Sequence, residues 1–309
     1  RGCLFQSTTD SEVFIHLIAI SLYSTVIDRL IDALKQVQGA YSLVALHNGA
    51  LIGARDPLGV RPLVLGRLPN GGLVLASETC ALDIVGAEFV RDIEAGELVV
   101  IDDNGLRSIK PFSRTESRFC IFEYIYFARP DSVMEGTPVY ETRKRIGAEL
   151  ARESGVAADL IVPVPDSGVP AAMGYAVESG IPFELGIIRN HYVGRTFIQP
   201  TQELRDLKTR LKLSPTGAVK GKRVVLVDDS IVRGTTSRRI VRMLKEAGAL
   251  VRFLPDPYVH ATVLVRDGEE ALLGSLNLSA NSIQANRELA VRFTAREAPE
   301  AFRRLLFVM

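Results

Sequence analysis

Two adjacent carboxylates, Asp228 and Asp229, are the residues of this chain whose type and spacing most directly indicate chemistry. The turn after them contains groups that can serve a phosphate: hydroxyls that donate hydrogen bonds, an arginine that adds positive charge, and a glycine that lets the backbone come close. These groups are Ser230, Arg233, Gly234, Thr235 and Thr236. Carboxylates cannot hold a phosphate, but they accept hydrogen bonds from vicinal hydroxyls and help to bind Mg²⁺. A phosphate beside a diol describes a ribose 5-phosphate.

The elements around this cluster place it at the end of a buried strand. Val224–Val227 is an unbroken aliphatic run, typical of a strand covered on both faces of a parallel sheet. Residues 237–247 predict an amphipathic helix that ends at Gly248. This order predicts a binding loop at the carboxyl end of a parallel strand, where open α/β sheets bind ligands. The alternative is an ordinary turn with a solvated acidic pair. The sequence contains neither G-x-x-x-x-G-K-[ST] nor G-x-G-x-x-G.

The stretch 223–236 resembles the phosphoribosyl-pyrophosphate (PRPP) signature of type I phosphoribosyltransferases. An amphipathic helix at 140–151 and a third strand at 183–188 extend the α/β pattern. The stretch 189–202 is long, irregular and mixed in polarity, which suits a lid. The resemblance implies that it closes over PRPP. Its candidate catalytic residues are Tyr192, Arg195 and Thr196.

A second loop of the same kind follows another predicted strand, Leu160–Val164. In the family that the chain resembles, this loop binds pyrophosphate through backbone amides, which implies a role for Asp166, Ser167 and Gly168. The resemblance also implies that Ser167, with the two carboxylates of the first loop, supports Mg²⁺. Without the resemblance, the loop is an ordinary helix entry.

The first hundred residues predict an α+β fold rather than repeated βαβ units. Capping hydroxyls at 7–11 open a helical stretch that runs to Leu34 and breaks near Ser24. Short strands are predicted between turns such as Asn48-Gly49. They are 40–46, 50–54, 62–65, 72–77 and 97–101.

Four segments of this region resemble the later part of the glutaminase domain of amidophosphoribosyltransferases, an N-terminal-nucleophile fold. They are 5–13, 39–43, 54–63 and 75–80. The resemblance implies that Asp10 contacts the amino group of glutamine, and the alternative role for Asp10 is a helix cap. The family nucleophile is a Cys at the mature N-terminus. Because this chain starts inside that domain and Cys3 is not terminal, we expect this half not to hydrolyse glutamine.

Cys120 lies in the segment 120–132, which matches the same family. In some members a Cys at this place ligates an iron–sulfur cluster, but a cubane cluster needs four thiolates. The sequence contains only Cys3 and Cys80 besides it. We therefore expect a buried structural Cys120 and no cluster. Few cysteines, odd in number, indicate a reducing, cytoplasmic compartment.

The composition bounds the remaining possibilities. A chain of 309 residues is long enough for about two domains. Lys+Arg 37 and Asp+Glu 36 nearly balance, so no global field attracts nucleic acid. No apolar run is long enough to span a bilayer, which argues against a membrane partner. The resemblance implies a homo-oligomer.

The resemblance is expected to stop after Gly248. His260, Asp267 and Asn277 then follow the spacing of the H-x-K-x4-D-x6-G-S-x-N motif of the phospholipase D superfamily. Thr262 replaces the Lys that binds phosphate there, and that superfamily needs two such motifs. We expect a vestigial site without activity; the alternative is a plain β-hairpin.

The sequence thus predicts three parts. They are a partial α+β glutamine amidotransferase domain at 1–112, an incomplete α/β type I phosphoribosyltransferase domain at 113–254, and a short α+β tail at 255–309. The implied reaction joins PRPP with ammonia from glutamine. A non-catalytic PRPP- or nucleotide-binding regulator and a phosphodiesterase acting through His260 are the alternatives.

Overall fold

The computed structural model describes residues 5–190, 212–230, 235–250, 262–266, 270–274 and 290–294. The chain divides into two compact units, residues 1–250 and 251–309. Within the described ranges, no helix is long and apolar enough to cross a membrane.

The N-terminal region begins with two helices, α1 (Glu12–Ile20) and α2 (Val26–Gln36). The break between them confirms the interruption predicted near Ser24. The side chain of Thr25 caps α2 by accepting a hydrogen bond from the Asp28 amide at 3.1 Å.

Two antiparallel sheets follow. The first has the order β1–β2–β6–β7 and the second the order β4–β3–β5. Their strands are β1 (Ser42–His47), β2 (Ala50–Arg55), β3 (Val64–Arg67), β4 (Leu73–Ala76), β5 (Glu88–Asp92), β6 (Leu98–Asp102) and β7 (Gly105–Ile109). Helix α3 (Thr79–Val85) lies between β4 and β5 in the chain. The predicted strands are confirmed, whereas α3, β5 and β7 were not predicted.

Strand β6 shows how these layers are assembled. Because successive side chains of a strand point to opposite faces, Leu98 and Val100 pack against the buried face of α2, while Val99 packs against the second sheet. Leu82 of α3 covers the outer face of the second sheet. The region is therefore a helix–sheet–sheet–helix arrangement, which is of the predicted α+β class.

A linking segment, residues 118–138, leads to the second half. It contains a π-helix, Glu123–Phe127, and a short hairpin of β8 (Val133–Met134) and β9 (Thr137–Pro138). Helix α4 (Val139–Ser154) follows directly.

The second half is an α/β arrangement around two parallel strands, β10 (Leu160–Pro163) and β13 (Val224–Val227). Helix α5 (Val169–Ser179) covers one face through Tyr175, which packs with Ile161. Helix α6 (Thr235–Glu246) covers the other through Ile240, which packs with Val162. Both strands were predicted, and the helix predicted at 140–151 is α4.

The predicted third strand at 183–188 is partly wrong. Phe183 forms a single parallel bridge with Ile161. The regular strand is β11 (Ile187–Arg189), which pairs antiparallel with β12 (Leu213–Pro215) in a separate two-stranded sheet.

The second unit contains an antiparallel sheet of β14 (Thr262–Arg266), β15 (Glu270–Gly274) and β16 (Ala290–Thr294). The hairpin between β14 and β15 agrees with the alternative considered for this tail.

Candidate functional site

The two predicted phosphate-type loops leave the parallel sheet side by side. Pro163 and Val227 are register partners at the carboxyl ends of β10 and β13. The Val164 amide donates a hydrogen bond to the Val227 carbonyl oxygen at 2.8 Å, which extends the pairing by one residue. We call the two loops, residues 164–168 and 228–230, the strand-end site.

Gly168 makes the close approach of the two loops possible. A Cβ atom built on it would lie 2.5 Å from the Val227 carbonyl oxygen and 2.9 Å from that of Val164. The Gly168 amide closes the turn by donating to Val164 at 3.0 Å, and Ala172 then donates to the Gly168 carbonyl at 2.9 Å. Helix α5 therefore begins at the strand-end site, where its first amides can bind an anion.

The acidic pair carries an electrostatic cost that a ligand would relieve. The Asp229 amide donates to the side chain of Asp228 at 3.0 Å, and both residues are half-buried. Burial, followed by the hydrogen bond and charge of Asp229, raises the pKa of Asp228 to about 6. A cation or a pair of hydroxyl donors would stabilise the charged form of both carboxylates.

The donor set fits Mg²⁺, which prefers one or two carboxylates and keeps several waters or ligand oxygens. Within the described ranges, no group of three or more His, Cys, Asp or Glu side chains could hold a metal. Asp228 and Asp229, both half-buried and adjacent in the chain, form a two-carboxylate arrangement of this kind. Ser167, the third predicted ligand, is half-buried in the neighbouring loop.

Two arginines with defined partners were not predicted. Arg189, at the end of β11, forms an ion pair with the exposed carboxylate of Asp166, with 2.5 Å between Nη1 and Oδ2. Arg143 is only 4% exposed, on the face of α4 that also buries Gly147 and Ala151. Burial lowers the pKa of Arg143, and the charges of Asp229 and Glu78 oppose that shift.

A second concave site lies in the N-terminal region. This N-terminal cleft has a volume of about 910 Å³. Its lining includes Asp10, Tyr41, Arg61, Glu78, Glu123 and Phe127. The Tyr41 hydroxyl is buried without a hydrogen-bond partner among the described residues, and burial raises its pKa. The Arg61 guanidinium lies 2.7 Å from a Glu123 carboxylate oxygen as an ion pair, without hydrogen-bond geometry.

Asp10 lines the N-terminal cleft. The helix-cap alternative is wrong in detail, because the N-cap residue of α1 is Ser11 and it makes no side-chain cap. Glu12 instead holds the preceding turn by accepting from the Ser7 hydroxyl at 2.6 Å and the Gln6 amide at 2.7 Å.

The cysteine prediction needs one correction. Cys120 is partly exposed rather than buried, because the chain turns there into the π-helix; its amide donates to Val60 at 3.2 Å. Cys80 is buried, and burial raises the pKa of its thiol.

Several predicted residues lie outside the described ranges. They are Tyr192, Arg195, Thr196, Arg233, Gly234, His260, Asp267 and Asn277. Thr235 and Thr236 begin α6, but their side chains are not described.

The comparisons with known proteins agree with this architecture. Residues 1–83 match the glutamine amidotransferase domain family, and residues 138–273 match the phosphoribosyl transferase domain family. The fold and the two matches define a glutamine amidotransferase domain followed by a type I phosphoribosyltransferase domain.

Curated relatives that match the chain are amidophosphoribosyltransferases. The chain is 59% identical to the amidophosphoribosyltransferase of Rhizobium etli over 254 residues, which cover 80% of this chain and 51% of that protein. It is 49% identical to that of Bacillus subtilis over 264 residues, covering 84% of this chain and 55% of that protein.

The solved structure of glutamine PRPP amidotransferase from Bacillus subtilis, complexed with ADP and GMP, is 51% identical with a TM-score of 0.75. The match covers 80% of this chain and 55% of that one. The chain thus spans about half the length of the relatives it matches.

The comparisons also bear on the tail. The phosphoribosyl transferase match runs to residue 273, beyond Gly248, whereas the matches to the curated relatives and solved structures cover about 80% of the chain. The three comparisons give no support to a phospholipase D-like tail.

Proposed function

We propose that this chain carries the PRPP-dependent part of an amidophosphoribosyltransferase reaction. Ammonia derived from glutamine attacks C1 of PRPP and loses a proton, while the bond from C1 to pyrophosphate breaks. The products are 5-phosphoribosylamine and pyrophosphate, which would place the reaction at the first step of purine biosynthesis. The observation that carries the proposal is the joining of two phosphate-type loops at one sheet edge, through the 2.8 Å bond between Val164 and Val227.

In this proposal each loop takes one part of PRPP. The amides of 166–168 and the start of α5 bind pyrophosphate. Asp228 and Asp229 accept hydrogen bonds from the ribose hydroxyls. The remaining phosphate is bound by the turn into α6, with Ser230, Arg233, Gly234, Thr235 and Thr236.

The proposed metal is Mg²⁺, held by Asp228 and Asp229 with support from Ser167. When bound, it would neutralise charge on the departing pyrophosphate. The Asp229 amide keeps one Asp228 oxygen oriented, which prepares the pair before a ligand arrives. An iron–sulfur cluster is not part of the proposal, because a cubane cluster needs four thiolates and the sequence contains three cysteines.

The other proposed roles extend the same scheme. Tyr192, Arg195 and Thr196 act in the lid over PRPP, and Asp10 binds the amino group of glutamine in the N-terminal cleft. We also propose a homo-oligomer, as the family resemblance implies. A cytoplasmic compartment is proposed as well, with support from the free thiols of Cys80 and Cys120.

The decisive experiment combines binding with turnover. PRPP is titrated calorimetrically into the chain with and without Mg²⁺, and pyrophosphate release is then followed with ammonium chloride as the nitrogen source. We expect Mg²⁺-dependent binding and ammonium-dependent release. Binding without release would favour the regulator alternative, and failure of PRPP to bind would overturn the proposal.

A further inference from the structure

Arg143 of α4 connects the phosphoribosyltransferase half of the chain to the linking segment 118–138. Its Nε donates to the Tyr124 carbonyl oxygen and its Nη2 to the Ala128 carbonyl oxygen, both at 2.7 Å. Tyr124 lies in the π-helix and Ala128 is the residue that ends it. One buried guanidinium therefore holds both ends of this turn.

The turn that Arg143 holds is also a wall of the N-terminal cleft. Glu123 and Phe127 of the π-helix line the cleft, together with Glu78. The carboxylate of Glu78 fixes the same wall from its other side, because it accepts from the Arg129 amide and the Ser132 hydroxyl, both at 2.9 Å.

Arg143 lies in α4, which packs against α5 so closely that the two helices have no room to slide. A Cβ atom on Gly147 of α4 would overlap the carbonyl oxygen of Ala171 in α5. A Cβ atom on Gly174 of α5 would overlap the carbonyl oxygen of Lys144 in α4. Backbones in such direct contact move together, and α5 begins at Gly168 of the strand-end site.

We infer that Arg143 is a positioning residue that joins the wall of the N-terminal cleft mechanically to the loop of the strand-end site. The route runs from the π-helix through Arg143 into α4, across the glycine contacts into α5, and so to the loop 164–168. Its use in catalysis rests on the function proposed above. In that function, a ligand bound at one site would change the stability of the other site.

The test is native-state hydrogen exchange at three amides. Ala128, bonded to Glu123 at 3.1 Å, reports on the wall; Gly168 reports on the loop; and Ile93, bonded to Leu63 at 2.8 Å, is a remote reference. Without ligand, we expect Ala128 and Gly168 to share one opening equilibrium. Arg143→Lys keeps the positive charge but cannot donate to both carbonyl groups at once. In this variant Ala128 and Gly168 should exchange at least about tenfold faster than in the wild type, whereas the exchange rate of Ile93 should change by less than about twofold.

The matched control is Arg145→Lys on the exposed side of the same helix, where Arg145 donates to Thr142 of that helix at 3.3 Å; it should change none of the three amides. Should Arg143→Lys fail to fold, Glu78→Gln loosens the wall from its other side and should accelerate Ala128 and Gly168 together. Acceleration at Ala128 alone, or equal acceleration at all three amides, overturns the inference.

Addition of PRPP with Mg²⁺ separates the two proposals. In the wild type it should slow exchange at Ala128, and in Arg143→Lys it should not. Failure of PRPP to bind the wild type would count against the proposed function alone, because the ligand-free comparison still decides the role of Arg143.

Discussion

The Val227 carbonyl oxygen receives the Val164 amide at 2.8 Å and faces the α-carbon of Gly168. This one oxygen holds the end of β13 against both the start and the end of the loop that follows β10. Asp228 and Asp229 follow directly in the chain after this contact. The relationship depends on a glycine, because any side chain at 168 would meet backbone atoms that cannot rotate away.

Replacement of Gly168 by alanine should damage both the fold and the site. A Cβ atom 2.5 Å from a backbone oxygen forces the loop to shift, and overpacking of this kind costs about 1–3 kcal/mol. Urea unfolding should show that loss, and PRPP binding should weaken with it. The matched control is Gly217→Ala, where the added methyl meets no atom within 4 Å. Equal stability of the two variants would contradict the close contact.

Replacement of Asp228 or Asp229 by asparagine should each weaken the binding of Mg²⁺–PRPP. Loss of one charged hydrogen bond typically costs about 1.5–3 kcal/mol, or roughly 10- to 150-fold in the dissociation constant. Calorimetry measures it directly. Asp159→Asn, at the opposite end of β10 and paired with Arg223 at 2.6 Å, should leave the affinity unchanged. Wild-type affinity in both site variants would remove the acidic pair from the ribose site.

The acidic pair should also make stability depend on pH. The pKa of Asp228 is raised to about 6 from the ordinary 3.8, so between these values the folded state holds a proton that the unfolded state has lost. The contribution of Asp228 to stability therefore falls as pH rises from about 4 to 6 and is level above that. Relative to the wild type, Asp228→Asn should gain stability between pH 5 and pH 7.5 in urea unfolding. A constant difference would show that the pKa is not raised.

The contribution of Asp159 to stability should depend on pH in the opposite direction. Its hydrogen bonds from Arg223 lower its pKa to about 2, so its stabilisation is present above pH 4 and is lost as pH falls toward 2. Asp159→Asn should therefore be less stable than the wild type at neutral pH and approach it under acidic conditions. Acid titration of both proteins by circular dichroism measures the convergence, and a gap that widens toward pH 2 would contradict it.

The tail should have no phosphodiesterase activity. Cleavage by a His nucleophile builds negative charge on phosphate oxygens, and Thr262 offers no positive charge to meet it. An assay with a phosphodiester substrate should detect no turnover by the wild type. Wild-type turnover that disappears in His260→Ala would refute this, and activity gained only in Thr262→Lys would revive the resemblance to phospholipase D.

Local patterns were sufficient for the elements that carry the strand-end site. Val224–Val227 is the observed β13, and Gly248, at the end of the following helix, has a φ of +90°. Such features depend on a few consecutive residues: an aliphatic run that must be covered on both faces, and a glycine that can adopt a positive φ. The acidic pair and the two loops could be proposed for the same reason.

Contacts between distant segments could not be predicted in this way. The strand predicted at 183–188 divides between a bridge to Ile161 and an antiparallel pairing with β12, because the partner and not the aliphatic run decides where a strand pairs. Arg143 resembles any charged residue of an amphipathic helix in the sequence. Its burial depends on two carbonyl groups that lie 15 and 19 residues earlier in the chain.

The sequence by itself therefore determined which residues of this protein could meet a phosphate, a diol and a cation. Only the tertiary structure decided that Gly168 lies against Val227 and that Arg143 donates hydrogen bonds to both ends of the π-helix. The reason is physical: hydrogen-bonding capacity and backbone freedom belong to single residues, whereas a contact exists only when the fold brings both of its partners within a few ångströms.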